Sequence, residues 1–187
     1  QEEYVLENTS LLIPVNTSVA LVGESGSGKS TIADLVSLVL EPTEGKVFID
    51  GVSSGVIEKY SWRHQVGYVS QETVIFDDTI GNNISMWAKD KSSEETTRLV
   101  KEAAAEANIL QFIEGLPLGF DTLVGDRGVL LSGGQRQRLF VARELFRKPR
   151  LLILDEATSA LDSASEKEIQ NSIDELSGKT TLLIIAH

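Results

Sequence analysis

The sequence predicts an α/β fold built on a mostly parallel sheet flanked by helices, and three observations carry that prediction. Val19-Ala20-Leu21-Val22 is an apolar strand that runs straight into Gly23, with a helix expected from Lys29. Leu151-Leu152-Ile153-Leu154 is a second wholly apolar run, the pattern of a strand buried on both faces. From Gly133 onward helix and strand signals alternate, as a parallel sheet with helical crossovers requires.

Tyr4 to Val22 reads as short strands, with Asn8-Thr9-Ser10 and Pro14-Val15-Asn16-Thr17 separating apolar pieces such as Leu11-Leu12-Ile13. The helix from Lys29 runs to about Leu40 and is stopped by Glu41-Pro42. Lys46–Asp50 reads as a strand ending at Gly51, and Val66–Ser70 as another. From Ile80 to about Gly115 the chain reads as helical, and Ser92-x-x-Glu95 is a capping box that opens a long stretch to Phe112. Pro117, Gly119, Gly125 and Gly128 make Leu116–Gly128 a loop. Helix Gly133–Arg147, strand Leu151–Leu154, helix Ala164–Leu176 and strand Thr180–Ile185 follow. The helical middle is therefore expected to form a lobe, residues 80–128, inserted into a core made of residues 1–79 and 129–187.

The length of 187 residues suits one domain with a sizeable core. There is no cysteine, which excludes disulfides and thiolate metal sites. Asp and Glu number 28 against 17 Lys and Arg, a net charge of −11, so the chain lacks the basic field of a nucleic-acid-coating protein. No apolar run approaches the roughly 18–20 residues that span a bilayer, and Asp34 interrupts the run Ile32–Leu40. Any membrane part has to come from other sequence.

Gly23-Glu24-Ser25-Gly26-Ser27-Gly28-Lys29-Ser30 fits the phosphate-loop pattern G-x-x-x-x-G-K-[ST] and sits between a strand and a helix, as that pattern requires. Its glycines let successive N–H groups turn toward phosphate oxygens. Lys29 supplies a point charge, Ser30 a hydroxyl for Mg²⁺, and the helix N-terminus, which includes Thr31, favours anions. ATP and Mg²⁺ are the expected ligands. Asp155 and Glu156 close the second apolar strand, and in an open α/β sheet ligands lie beyond the carboxyl ends of strands. Asp155 is expected to hold Mg²⁺, and Glu156 to polarise the water that attacks the γ-phosphate.

Leu131-Ser132-Gly133-Gly134-Gln135 opens an arginine-rich helix; Ser132-x-x-Gln135 reads as a capping box and as an anion site together. With this string the chain resembles the nucleotide-binding domain of an ABC transporter, whose signature it is, placed between the phosphate loop and the acidic strand. Gln71 resembles the Q-loop glutamine, Ser159-Ala160-Leu161-Asp162 the D-loop and His187 the switch histidine. The resemblance implies the ABC ATPase fold: a P-loop NTPase core with a mostly parallel sheet, N-terminal antiparallel strands and an inserted helical lobe, C-terminally truncated here. It also implies a head-to-tail pair of domains. In that pair each ATP lies between the phosphate loop of one copy and Ser132, Gly133, Gly134 and Gln135 of the other. Gln71 would sense Mg²⁺ and the γ-phosphate, His187 would orient Glu156 and the water, and Asp162 would couple the two sites. His64 has no such match and reads as structural.

Thr122–Gly128 resembles the X-loop of exporter-type members, which touches the membrane domain. The implied partners are a second nucleotide-binding domain, identical or homologous, and a membrane-spanning domain in the same chain or another subunit, with no nucleic acid. The implied location is the cytoplasmic face of a membrane. Nucleic-acid-acting relatives of the chromosome-maintenance type need a long coiled coil between phosphate loop and signature, and no sustained heptads occur there. Degenerate, non-hydrolysing sites lose the acid at Glu156 or alter the signature, and both are intact. The family's adenine-stacking aromatic is expected upstream of the first apolar strand; Tyr4, directly against Val5-Leu6, is too close. The family also continues past His187, so the chain reads as a fragment of a longer polypeptide.

Overall fold

A computed structural model gives the fold over residues 4–70, 74–88, 93–155 and 163–186. β1 (Ser18–Val22) leads through the glycine loop into α1 (Lys29–Val36). A hairpin of β2 (Phe48–Ile49) and β3 (Val52–Ser53) follows, then α2 (Lys59–Arg63) and β4 (Val66–Val69). The middle holds α3 (Ile80–Ser85), α4 (Ser93–Glu106) and α5 (Leu110–Glu114). Then come α6 (Gly133–Phe146), β5 (Leu151–Asp155), α7 (Ser163–Leu176) and β6 (Thr181–Ala186).

Four strands form a parallel sheet in the order β1-β6-β5-β4. Side chains alternate across a strand, and here both faces are covered. Leu151, Ile153, Leu183 and Ile185 share one buried cluster with Ala33 of α1. Leu152, Leu154 and Leu182 share the other with Ala103 and Ala104 of α4 and Leu139 and Ala142 of α6. That explains why β5 and β6 read as unbroken apolar runs. Gly67 lets α6 approach β4: a Cβ there would stand 2.8 Å from Leu152 Cδ1 and 3.3 Å from Glu144 Cβ.

Several elements depart from the sequence expectations. The antiparallel pairing lies in β2 and β3, whose Asp50-Gly51 turn has φ of 51° and 79°, the two positive values a tight hairpin needs. Leu11-Leu12-Ile13 is irregular chain, not a strand, and Leu12 is exposed. α1 ends at Val36 rather than Leu40, because Leu38 turns left-handed (φ 58°) and the N–H groups of Val39 and Leu40 fold back onto the Asp34 carbonyl. Among the described residues the helical middle holds three α-helices. Met86 and Trp87 (φ 50° and 54°) end α3, and the Trp87 indole donates to Asp78 at 2.9 Å; Asn108 (φ 54°) separates α4 from α5. Asn tolerates that conformation well. The Ser92 cap lies outside the described residues, and α4 starts at Ser93.

Candidate nucleotide-binding site

The site begins where β1 ends. Gly26 (φ 81°) and Gly28 (φ 87°) turn the loop, and the Ser27 N–H closes it onto the Glu24 carbonyl at 3.2 Å. Gly28 is the N-cap of α1 and offers no side chain to its amides, which leaves them for an anion. A cavity of about 170 Å³ opens over Ser25, Gly26, Gly28, Lys29, Ser30 and Thr31, with Val5 on its other wall. Gly23, Glu24 and Ser27 complete the loop without lining that space. Lys29 is buried, and its ammonium donates to the Gly23 carbonyl at 2.7 Å and to that of Glu24 at 2.8 Å. Those carbonyls hold the charge beside the loop, at the place where phosphate oxygens would compete for it.

Asp155 reaches the same place along the sheet. In register, Val22 is opposite Ala186, and both Leu21 and Asp155 are opposite Ile185. The phosphate loop and the carboxylate therefore flank the carboxyl end of β6, one on each side. The Tyr68 phenol donates to Asp155 Oδ2 at 2.8 Å. A serine hydroxyl and a carboxylate are hard oxygen donors, the set that suits Mg²⁺ when phosphates and water supply the remaining ligands. No cluster of three or more His, Cys, Asp or Glu able to hold a metal occurs among the described residues.

The signature lies elsewhere. Ser132 caps α6: its hydroxyl accepts from the Gln135 N–H at 3.2 Å, and Gln135 Oε1 accepts from the Ser132 N–H at 2.8 Å. Gly134 is buried in the first turn, Ser132 and Gly133 are exposed, and Gln135 is half-buried. None of them lines the phosphate cavity, so the fold does not bring the signature onto this chain's own loop. The Thr122–Val124 stretch is held against α3, with Ile80 N–H on the Thr122 carbonyl at 2.9 Å and Val124 N–H on that of Asp78 at 3.1 Å. Gln71, Glu156, Asp162 and His187 lie outside the described residues.

Sequence reasoning missed two features of the site. Val5 and Leu6 cover Gly28 so closely that a Cβ there would stand 3.2 Å from Val5 Cγ1 and 2.7 Å from Leu6 Cδ2. Tyr68 reaches Asp155 from the neighbouring strand. Neither contact has a local signature, because each joins residues distant in the chain.

The family model described as ABC transporter matches residues 6–159. The chain is 50% identical over 186 residues to the heterocyst differentiation ATP-binding protein HepA of Nostoc, covering all of this chain and 30% of that protein. It is 49% identical over 187 residues to an ATP-dependent lipid A-core flippase of Haemophilus influenzae, covering all of this chain and 31% of the flippase. The solved structure of a bacterial Atm1-family ABC exporter with ATP bound superposes with a TM-score of 0.83 at 41% identity, over all of this chain and 32% of that one. The chain thus spans about a third of the length of the relatives it matches. A phosphate loop and an acidic strand end on one sheet edge, a capped signature helix and these similarities lead to one assignment: the chain belongs to the ABC transporter family, as a nucleotide-binding domain of the exporter type.

Proposed function

We propose that this chain binds MgATP and hydrolyses it as the motor domain of an ABC exporter, driving substrate across a membrane through a head-to-tail pair of such domains. The carrying observation is that Lys29 and Ser30 on one side and Asp155 on the other flank the same end of β6. In this reading the loop amides and Lys29 hold the β- and γ-phosphates, while Ser30 and Asp155 hold the metal side. Bound Mg²⁺ supplies charge neutralisation of the triphosphate. Glu156 accepts a hydrogen bond from the attacking water, His187 orients both, and Gln71 senses the metal and γ-phosphate and relays to the membrane domain.

The exposed Ser132 and its neighbours serve the nucleotide of the opposite copy, with Gly134 at the same helix start, and Asp162 couples the two sites. That none of Ser132, Gly133, Gly134 and Gln135 lines this chain's own phosphate cavity supports that division. Residues 1–79 and 129–187 act as the nucleotide core, and residues 80–128 as the lobe that faces the membrane domain. No helix among the described residues is long and apolar enough to cross a membrane. In this reading the membrane-spanning domain belongs to the same chain or another subunit, and the domain works at the cytoplasmic face.

Glu156→Gln tests the reading in a chain extended past residue 187. Positioned acid–base groups contribute about a hundred- to ten-thousand-fold, so turnover falls by that much while ATP binding survives. ATP then persists between two copies, and size-exclusion chromatography with MgATP shows a shift to double mass that ADP does not produce. Wild-type turnover would remove Glu156 from catalysis; lost turnover without the ATP-dependent dimer would overturn the two-copy mechanism.

A further inference from the structure

Asp155 has two carboxylate oxygens, and one of them, Oδ2, is taken by a side chain of the neighbouring strand. Its neighbour on the sheet is β4, where Tyr68 pairs with Ile153, two residues short of Asp155. Tyr68 and Asp155 therefore lie on the same face, separated by about 6.6 Å along the strand direction. A tyrosine is long enough to bridge that gap and ends in a donor; a serine or threonine is too short, and a phenylalanine has nothing to donate. The bridge is made: the Tyr68 phenol donates to Asp155 Oδ2 at 2.8 Å. The ring is half-buried against the cluster that contains Ala33 and Ile153, which fixes its direction.

We propose that Tyr68 is a positioning residue for the metal-side carboxylate, saturating Oδ2 of Asp155 and holding Oδ1 toward the Mg²⁺ of bound MgATP. This rests on the assignment of Asp155 to the metal. The backbone supports the same role from the other side: Tyr68 N–H donates to Glu144 Oε2 of α6 at 3.4 Å, so the strand residue is tied to the helix that the signature opens. A carboxylate left with one unbonded oxygen at this half-buried strand end rotates or recruits water, and either weakens the metal-side geometry.

The test separates metal linkage from packing. In the intact polypeptide, affinity for a non-hydrolysable ATP analogue is measured with Mg²⁺ and with EDTA, for the wild type, Tyr68→Phe, Asp155→Asn and the double variant. The expected result is that Tyr68→Phe binds the metal-free analogue as the wild type does but loses about tenfold of the tightening that Mg²⁺ provides. Asp155→Asn loses it all, and adding Tyr68→Phe to Asp155→Asn changes nothing further. Tyr68→Phe with full Mg²⁺ linkage overturns the positioning role, while loss in Asp155→Asn alone leaves the metal assignment standing. Full linkage in Asp155→Asn overturns the metal assignment and the proposal with it. A Tyr68→Phe that weakens metal-free binding equally reports packing damage and also overturns the proposal.

Discussion

Arg143 of α6 holds Asn83 of α3 twice, with Nε on the backbone carbonyl at 2.8 Å and Nη2 on the side-chain oxygen at 2.9 Å. Its third donor, Nη1, reaches the Val74 carbonyl at 2.6 Å, and the guanidinium lies about 5 Å from the ring centres of Phe76 and Phe140. Asn83 in turn donates to the Phe76 and Thr79 carbonyls at 3.0 Å and accepts from the Phe76 N–H at 2.9 Å. One buried pair thus joins the segment from Val74 to Thr79 to the helix that Ser132 opens.

Asn83→Ala removes the side-chain acceptor of Arg143 Nη2, leaving the backbone carbonyl in place, and orphans the Phe76 N–H. The expected loss of stability is about 3 kcal/mol, read as a fall in denaturant midpoint at unchanged slope. Arg143→Met together with Asn83→Ala should cost less than the sum of the two single changes. Strict additivity would mean that the pair does not act as a unit.

Lys29→Ala removes the only side-chain cation of the phosphate loop. A hydrogen bond to a charged group is worth about 1.5–3 kcal/mol, so ATP affinity should fall about ten- to a hundredfold in a fluorescence titration. The two carbonyl bonds of Lys29 are lost as well, and the loop should exchange its amide hydrogens faster. Unchanged affinity would take Lys29 out of phosphate binding.

Ser132→Arg should leave the chain's own ATP affinity intact and block hydrolysis, because the signature is away from its own cavity. Loss of the cap itself costs only about 1 kcal/mol. A collapse of affinity in the isolated domain would place the signature at its own nucleotide and refute the head-to-tail arrangement.

Glu144 offers a prediction in pH. Burial holds its carboxyl above the ordinary value of 4.5, against the lowering effects of the Tyr68 N–H, Arg147 and Arg143. The folded state therefore binds this proton more tightly than the unfolded chain. Its contribution to stability is fully present below pH 4.5 and is lost as pH rises through the folded pKa. Glu144→Gln keeps an acceptor for the Tyr68 N–H and cannot ionise. The variant should gain stability relative to wild type between acid and neutral pH, seen as diverging denaturant midpoints; parallel midpoints would refute the assignment.

What could be read from the sequence was local chemistry. Gly23–Ser30, the run into Asp155 and the Ser132–Gln135 cap each depend on residues within one turn or one strand, and each is found where expected. What escaped was set by distance. Leu11–Ile13 has strand composition but no partner strand among the described residues, so it stays irregular. The helical middle reads as one stretch, yet Met86, Trp87 and Asn108 break it by turning left-handed, a conformation that Asn favours but that Met and Trp do not choose by their own preference. Tyr68 and Arg143 look like ordinary strand and helix residues until the fold sets Asp155 and Asn83 beside them.

The pairing of β1 with β6 has a consequence for how the molecule is made. Ser18 lies opposite Leu182 and Val22 opposite Ala186, so the strand that presents the phosphate loop finds its sheet neighbour more than 160 residues later. Translation at about 5–20 residues per second leaves the loop without its scaffold for on the order of ten seconds or more. Closing so long a span is also slow in its own right. During that interval β1 lacks the only strand it pairs with among the described residues, and the sheet end that holds the phosphate loop is incomplete. ATP is therefore expected to be a ligand of the finished sheet rather than of the growing chain.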